Sequence, residues 1–376
     1  STLDMTMRST NFTMTNYFTK LGYSQEETDK KLEQLKEEFF HGKDSFFHMN
    51  EDGTAYLYDT GNNDVRTEGM SYGMMLCVLL DMKKEFDAIW SWAKKYMYLT
   101  EGENAGFFAW SCGLDGSKNA DGPAPDGEEF FAMSLILASE KWGDGEGIFD
   151  YGKEARTLLH DMITGNTMFN VDNHQILFVV GVDFTDPSYH LPHFYKRFAE
   201  FANPEDREFY AAAEMVSREY LKKACHEKTG MCAEYAEFDG NPMSREMPWP
   251  SFDRHDWFFS DSYRTVANIA LDYAINGIDV GQTEACTGIQ DFLAEDIFGG
   301  NTHTYELNGE SAEESILHPV GLMATCAQAS LASKSEHADR YAKLLWDTPL
   351  RTGDRRYYDN CLYMFAFLAL CGKYVV

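Results

Sequence analysis

The sequence predicts an all-α chain folded as an (α/α)6 barrel, in which six outer helices enclose six inner ones. Three observations lead there. Period counting finds roughly twelve helical segments, most of them parted by loops carrying Gly, Pro, Asp or Asn. The segments alternate between helices that are apolar on every side and helices with one charged face. No linker, low-complexity tract or shift of composition interrupts the 376 residues, so a single domain over 1–376 is expected.

The elements follow in order. Segment 24–39 is amphipathic, and 40–66 reads as short strands or loops. Segment 68–82 is apolar all round although it opens on Glu68, and 84–97 is amphipathic again. The same pairing recurs as 128–140 with 150–162, 192–202 with 206–225, and 261–276 with 280–297. It closes with 319–333, 335–348 and 358–371. A helix hydrophobic on all sides must be enclosed, whereas an amphipathic one faces water. Residues 234–258, rich in Pro, Gly and aromatics, read as loop or short strands.

Composition narrows the function. A net charge of −29 disfavours nucleic acid, whose phosphates need a basic face, and disfavours anionic lipid. A neutral polymer is not repelled, and an aromatic content of 15% suits a ring-stacking surface as well as a dense core. The eight cysteines form no CxxC pair, and Cys77, Cys326 and Cys361 lie inside apolar helical patterns. They read as reduced core residues in a reducing compartment. The first residues carry no apolar signal core, and no run is long enough to span a membrane. A cytoplasmic monomer is expected.

In such a barrel the inner helices run parallel, so their N-termini meet on one rim. Glu68 opens the first. Asp126 and Glu129 in APDGEEFF stand before the second with the spacing of a capping box. FFSDSYR puts Asp261 at the start of the fourth, ILHPVG leads into the fifth, and RRYYDN opens the sixth. Asp126 and Asp261 are good N-caps, and Glu68 would complement a helix dipole. Capping does not predict several acids, tyrosines and arginines gathered on one rim. Two carboxyls flanking an aromatic cleft are the equipment of glycoside hydrolysis, one protonated to serve the leaving oxygen and one ionised to activate water. Glu68, held against Met and Tyr surfaces, is placed for a raised pKa. Arg264, one turn beyond Asp261, should keep that acid ionised.

The stretches RTEGMSYGMM, FFAWSCGLDGSKNADGPAPDGEEFFAMSL, DPSYHLPHFYKRF, FFSDSYRTVANIALDY, ILHPVGLMA and RRYYDNCLYM resemble glycoside hydrolase family 8, in order and across nearly the whole chain. The resemblance implies an (α/α)6 barrel and an inverting mechanism without metal or organic cofactor. Within the family it points to the members that release xylose from the reducing end of β-1,4-xylo-oligosaccharides. Carried over by position, it implies Glu68 as general acid, Asp261 as general base and Asp126 as the acid that grips and distorts the sugar. It implies Trp110 as a stacking ring, with Arg264, Tyr195 and Tyr358 as further substrate-binding residues. Leu317-His318-Pro319 matches the loop that blocks the cleft in exo-acting members, with His318 facing the reducing-end sugar. Residues 241–257 match poorly and are expected to reshape one side of the cleft.

Other readings compete. An endo-acting member of the family would cleave xylan, chitosan or a β-1,4-glucan, and the acidic charge gives chitosan weak support. A sugar epimerase on the same barrel would need histidines, for which His174, His190, His193 and His255 are available. A silent glycan-binding protein would lack one of the two carboxyls, and both are present. HEKTG at 226–230 lacks the second histidine of a zinc-protease helix.

Overall fold

The computed structural model describes residues 14–376; the opening of the chain, on which the leader expectation rests, lies outside the described residues. A short helix, α1 (Tyr17–Lys20), precedes twelve longer ones. These are α2 (Gln25–His41), α3 (Thr67–Leu79), α4 (Lys83–Trp92), α5 (Pro125–Trp142), α6 (Tyr151–Ile163) and α7 (Pro192–Phe201). Then come α8 (Arg207–Ala224), α9 (Tyr263–Asn276), α10 (Gln282–Gly299), α11 (Pro319–Gln328), α12 (Ala338–Asp347) and α13 (Arg356–Leu370).

Burial sorts them as the sequence pattern does. In α13 every residue from Tyr357 to Leu370 is buried, and in α3 every residue from Gly69 to Val78 is buried. In α2, by contrast, the buried positions are Thr28, Leu32, Leu35, Phe39 and Phe40, a single stripe at helical spacing. Helices α3, α5, α7, α9, α11 and α13 touch in that order, and α13 returns to α3 to close the ring. Each of α3, α5, α7, α9 and α11 packs against the helix that follows it, and α13 packs against α2. This is the (α/α)6 barrel.

Two small antiparallel pairs decorate the rim: β1 (Phe47–Met49) with β2 (Ala55–Leu57), and β3 (Val65–Arg66) with β4 (Ser111–Cys112). Rings fill the barrel beneath the acids. Tyr72 of α3 meets Phe130 of α5 at 4.8 Å and Phe365 of α13 at 5.1 Å, and Phe130 meets Phe194 of α7 at 4.8 Å. All eight cysteines are free, seven of them buried. Among the described residues no helix is long and apolar enough to cross a membrane.

The capping readings need correction. Pro125 takes the first position of α5 and Ala124 the N-cap, so Asp126 lies inside the first turn and makes no cap bond. Proline's fixed φ starts the helix two residues earlier than a capping Asp126 would. Asp261 lies in a 3-10 turn, Ser260–Ser262, and Ser262 is the N-cap of α9. Both carboxyls are therefore free for other partners.

Candidate active site

One guanidinium organises the rim. Arg264, on the first turn of α9 and almost fully buried, places Nη1 3.0 Å from Glu68 Oε2 and 3.4 Å from Asp126 Oδ2. Its Nη2 stands 3.7 Å from Asp261 Oδ1 and 3.9 Å from Asp186 Oδ2. Four acids around one cation cannot all ionise cheaply, and burial adds to the cost. Burial raises the Glu68 carboxyl above its usual range, with Asp261 pushing the same way and Arg264, Arg66 and Tyr357 pulling back. Burial likewise pushes Asp126 up to about 7, again against the pull of Arg264.

Close backbone packing brings these groups together. A Cβ on Gly127 would stand 2.4 Å from Thr67 Oγ1, so only glycine lets the first turns of α3 and α5 approach this closely. The geometry at Asp261 is held by strain. Ser260, just before it, has φ +31°, which a non-glycine residue rarely adopts. The Tyr358 hydroxyl donates to the Ser260 carbonyl at 2.7 Å and pins the turn. Two arms of Arg264 reach both Glu68 and Asp261, so the nearest oxygens of the two carboxyls lie no more than about 9 Å apart. That is compatible with the roughly 6.5–9.5 Å that leaves room for an attacking water.

Glu68 and Asp261 border two unequal spaces. The larger, about 540 Å³, is lined by Trp110, Asp126, Phe178, Tyr189, Tyr235 and Trp249. Phe178 packs on Tyr235 at 4.0 Å and lies 6.0 Å from Trp249, making one aromatic wall. Trp110 is 40% exposed, and Arg66 rests over its ring at 5.3 Å. The smaller space, about 110 Å³, lies among Asp59, Asn62, Ser260, His318, Tyr357 and Tyr358. His318 Nδ1 is 2.6 Å from Asp359 Oδ1, and the Gly321 N–H donates to Asp359 Oδ2 at 3.0 Å. A buried carboxyl thus ties His318 to the first turn of α11, while Arg351 donates to the Leu317 carbonyl at 2.7 Å. The bond at Nδ1 leaves Nε2 as the nitrogen available to a ligand.

The structure gathers Glu68, Asp126, Asp261, Arg264, Trp110, His318 and Tyr358 around this cleft. Arg264 is nearly buried among carboxyls and also lines the larger space. Tyr195 is a correction: it is wholly buried, its hydroxyl lies against Glu129 and the Tyr189 carbonyl, and it lines neither space. The family resemblance of DPSYHLPHFYKRF gave the expectation, but the Tyr195 ring points into the packed interior. Of the histidines an epimerase would need, His190 is buried between Thr185 and Ser217 and His193 is buried on α7. Burial lowers them to about 3 and about 4 respectively, and neither lines the cleft. His160, Glu205 and Asp206 cluster at the entry to α8 with spacing that could hold a cation, also outside the cleft lining.

Sequence reasoning passed over Asp186, Tyr189, Tyr357 and Asp359. Their signal was positional: DPSY stands just before the third inner helix and RRYYD opens the sixth, so both reach the same rim. The poorly matching segment 241–257 does reach the cleft, through Trp249.

An (α/α)6 barrel with paired acids on the rim of an aromatic cleft defines a class of carbohydrate-active enzymes. The model of the glycosyl hydrolases family 8 matches residues 7–371, and the chain belongs to that family. It is 47% identical over 370 residues to a reducing end xylose-releasing exo-oligoxylanase of Bifidobacterium adolescentis, covering 95% of both chains. It is 49% identical to the protein of that description from Halalkalibacterium halodurans, covering 96% of this chain and 94% of the other. The structure of Rex8A from Paenibacillus barcinonensis complexed with xylose superposes with a TM-score of 0.94 at 45% identity, covering 98% of this chain and 99% of that one.

Proposed function

We propose that this chain is an inverting glycoside hydrolase that releases xylose from the reducing end of β-1,4-xylo-oligosaccharides. The observation that carries the reading is the asymmetry of the cleft: Glu68 and Asp261 line both a large aromatic space and a small one that is also lined by His318 and Tyr358. The small space suits one sugar ring, and the large one suits the rest of the oligosaccharide. The activity of the relatives of similar length agrees with this.

Glu68 acts as general acid. Its raised pKa keeps a proton available for the glycosidic oxygen as the bond to the leaving xylose breaks. Asp261 acts as general base, taking a proton from the water that attacks the opposite face of the anomeric carbon. Asp126 grips the sugar at the cleavage point, and Trp110 offers an open ring face for stacking. Arg264 balances the acids so that neither role is lost to mutual repulsion. His318 Nε2 meets the hydroxyls of the free reducing end. All these residues come from one chain, in keeping with a monomer, and eight unpaired cysteines suit the reducing cytoplasm.

The test is a substrate panel of xylotriose, borohydride-reduced xylotriose and polymeric xylan. Xylotriose should give xylose and xylobiose, with the reduced trimer and the polymer cleaved poorly. Rapid loss of xylan viscosity would show an open, endo-acting cleft.

A further inference from the structure

Glu129, Tyr195 and the backbone carbonyl of Tyr189 meet beneath the cleft, and the hydrolytic chemistry uses none of them. All three residues are buried, Glu129 and Tyr195 completely. The Tyr195 hydroxyl lies 2.5 Å from Glu129 Oε2 and 2.9 Å from the Tyr189 carbonyl oxygen. A phenol has one proton, and here two oxygens compete for it.

An ionised Glu129 would capture that proton and leave the Tyr189 carbonyl unpaired. It would also bury a charge whose Oε1 has no partner. The groups facing it make matters worse. Asp126 and Glu128 share its helix and Asp186 faces it from the turn before α7, while the cation in reach, Arg264, already serves four carboxyls. If Glu129 keeps its proton, it donates to the phenol oxygen and the phenol donates to Tyr189. Both hydrogen bonds then form and no charge is buried. Burial does push the Glu129 carboxyl well above its ordinary range. Carboxylic acids kept neutral to donate a hydrogen bond are known in enzyme sites.

We infer that Glu129 is a neutral acid that works through Tyr195 as a positioning residue, fixing the Asp186–Tyr189 turn against the catalytic cluster. Other bonds hold the same turn. Asp186 Oδ1 accepts from the Ser188 N–H and hydroxyl at 2.8 and 2.7 Å, and Asn268 donates to the Ser188 carbonyl at 3.1 Å. What the turn delivers is the Tyr189 ring in the cleft wall and the Asp186 carboxyl beside Arg264. Arg264 in turn touches Glu68, Asp126 and Asp261. Glu129 and Tyr195 therefore reach the sugar only through others.

The inference rests on the hydrolase reading, and the two fail differently: a parent protein inactive on xylo-oligosaccharides defeats the reading, whereas an active parent with the wrong variant pattern defeats only this step. The experiment compares the parent with Glu129→Gln, Tyr195→Phe and the double variant on xylotriose across pH. The glutamine amide still donates to the phenol, so E129Q should keep kcat within about threefold of the parent, with both limbs of the pH profile unmoved. Y195F keeps the packed ring but frees the turn, and should lose about 10- to 100-fold in kcat with little change in KM, the scale of a small misplacement. The double variant should be no worse than Y195F. A shifted pH limb or a large rate loss in E129Q would mean that Glu129 is ionised or carries protons, and would overturn the inference. So would a Y195F variant as fast as the parent. If Y195F proves unfolded by circular dichroism, the E129Q profile alone decides.

Discussion

The Tyr357 hydroxyl donates to Glu68 Oε1 at 2.9 Å, and Gly69 makes room for it: a Cβ at that position would stand 2.5 Å from the same hydroxyl. This bond favours the ionised carboxylate, opposing the burial that raises the Glu68 pKa. In Tyr357→Phe the opposition is lost and the pKa rises further. A general acid that holds its proton to higher pH moves the basic limb of kcat/KM upward. The maximal rate should fall about tenfold, because the carboxylate formed on proton transfer loses a charge-assisted donor. A pH–rate profile checks this, and a basic limb that moves downward contradicts it. Gly69→Ala should shift the limb in the same direction with a larger loss.

Glu68→Gln and Asp261→Asn should each nearly abolish turnover of xylotriose while leaving the circular dichroism spectrum unchanged. Loss of a positioned acid or base removes about 10²–10⁴ in rate, and more with a poor leaving group. Activity within a few-fold of the parent in either variant would remove that residue from its role.

Asp126 makes no capping bond, so its replacement has an unusual stability signature. Its folded pKa is raised to about 7, so the native state holds its proton more tightly than the unfolded chain does. The stability linked to that proton is complete below the ordinary carboxyl range and is lost as pH rises through about 7. Asp126→Asn, always neutral, should therefore melt higher than the parent at pH 8, with the difference vanishing near pH 4, the ordinary carboxyl range, while its turnover collapses. Thermal melts at the two pH values test this. A variant that melts early yet turns over normally would restore a purely structural role.

His318 is held by Asp359, which also bonds the Gly321 N–H. His318→Ala should open the small space and raise the ratio of reduced to unreduced xylotriose cleavage by about tenfold, the scale of one lost hydrogen bond plus the steric relief. Asp359→Asn should act in the same direction through a loosened loop. Product chromatography on the two trimers measures the ratio, and an unchanged ratio in both variants would take the wall away from His318.

Trp249 ends the aromatic wall contributed by Phe178 and Tyr235. Trp249→Ala should lower kcat/KM on xylotetraose by about tenfold, from a stacking contribution of roughly 1–1.5 kcal/mol. The effect on xylobiose should be much smaller. Equal losses on the two substrates would place Trp249 outside the sugar path.

The barrel was legible because burial leaves a periodic trace. An enclosed helix such as 358–371 has no polar face, whereas 24–39 has one, and the alternation alone orders the rings. The acids were legible because parallel inner helices must present their first turns together, which put Glu68, Asp126 and Asp261 on one rim. What escaped was everything set by rotation and reach. Tyr195 and Tyr189 both sit in DPSYHLPHFY, yet one ring faces the packed interior and the other faces the cleft. Tyr357 and Tyr358 are neighbours, yet one bonds Glu68 and the other bonds the Ser260 carbonyl. The positive φ at Ser260 and the four-carboxyl ring around Arg264 are tertiary facts with no local sequence signature.

In the proposed function, Glu68 and Asp261 cut the bond to the reducing-end xylose with inversion. Proton and carbon NMR of xylotriose carrying a ¹³C label at its reducing-end anomeric carbon tests every part of it in one time course. The label should leave in free xylose, and the new anomeric centre, on xylobiose, should appear first as the α form before mutarotation. Label retained in xylobiose, or a β-anomer formed first, would contradict it.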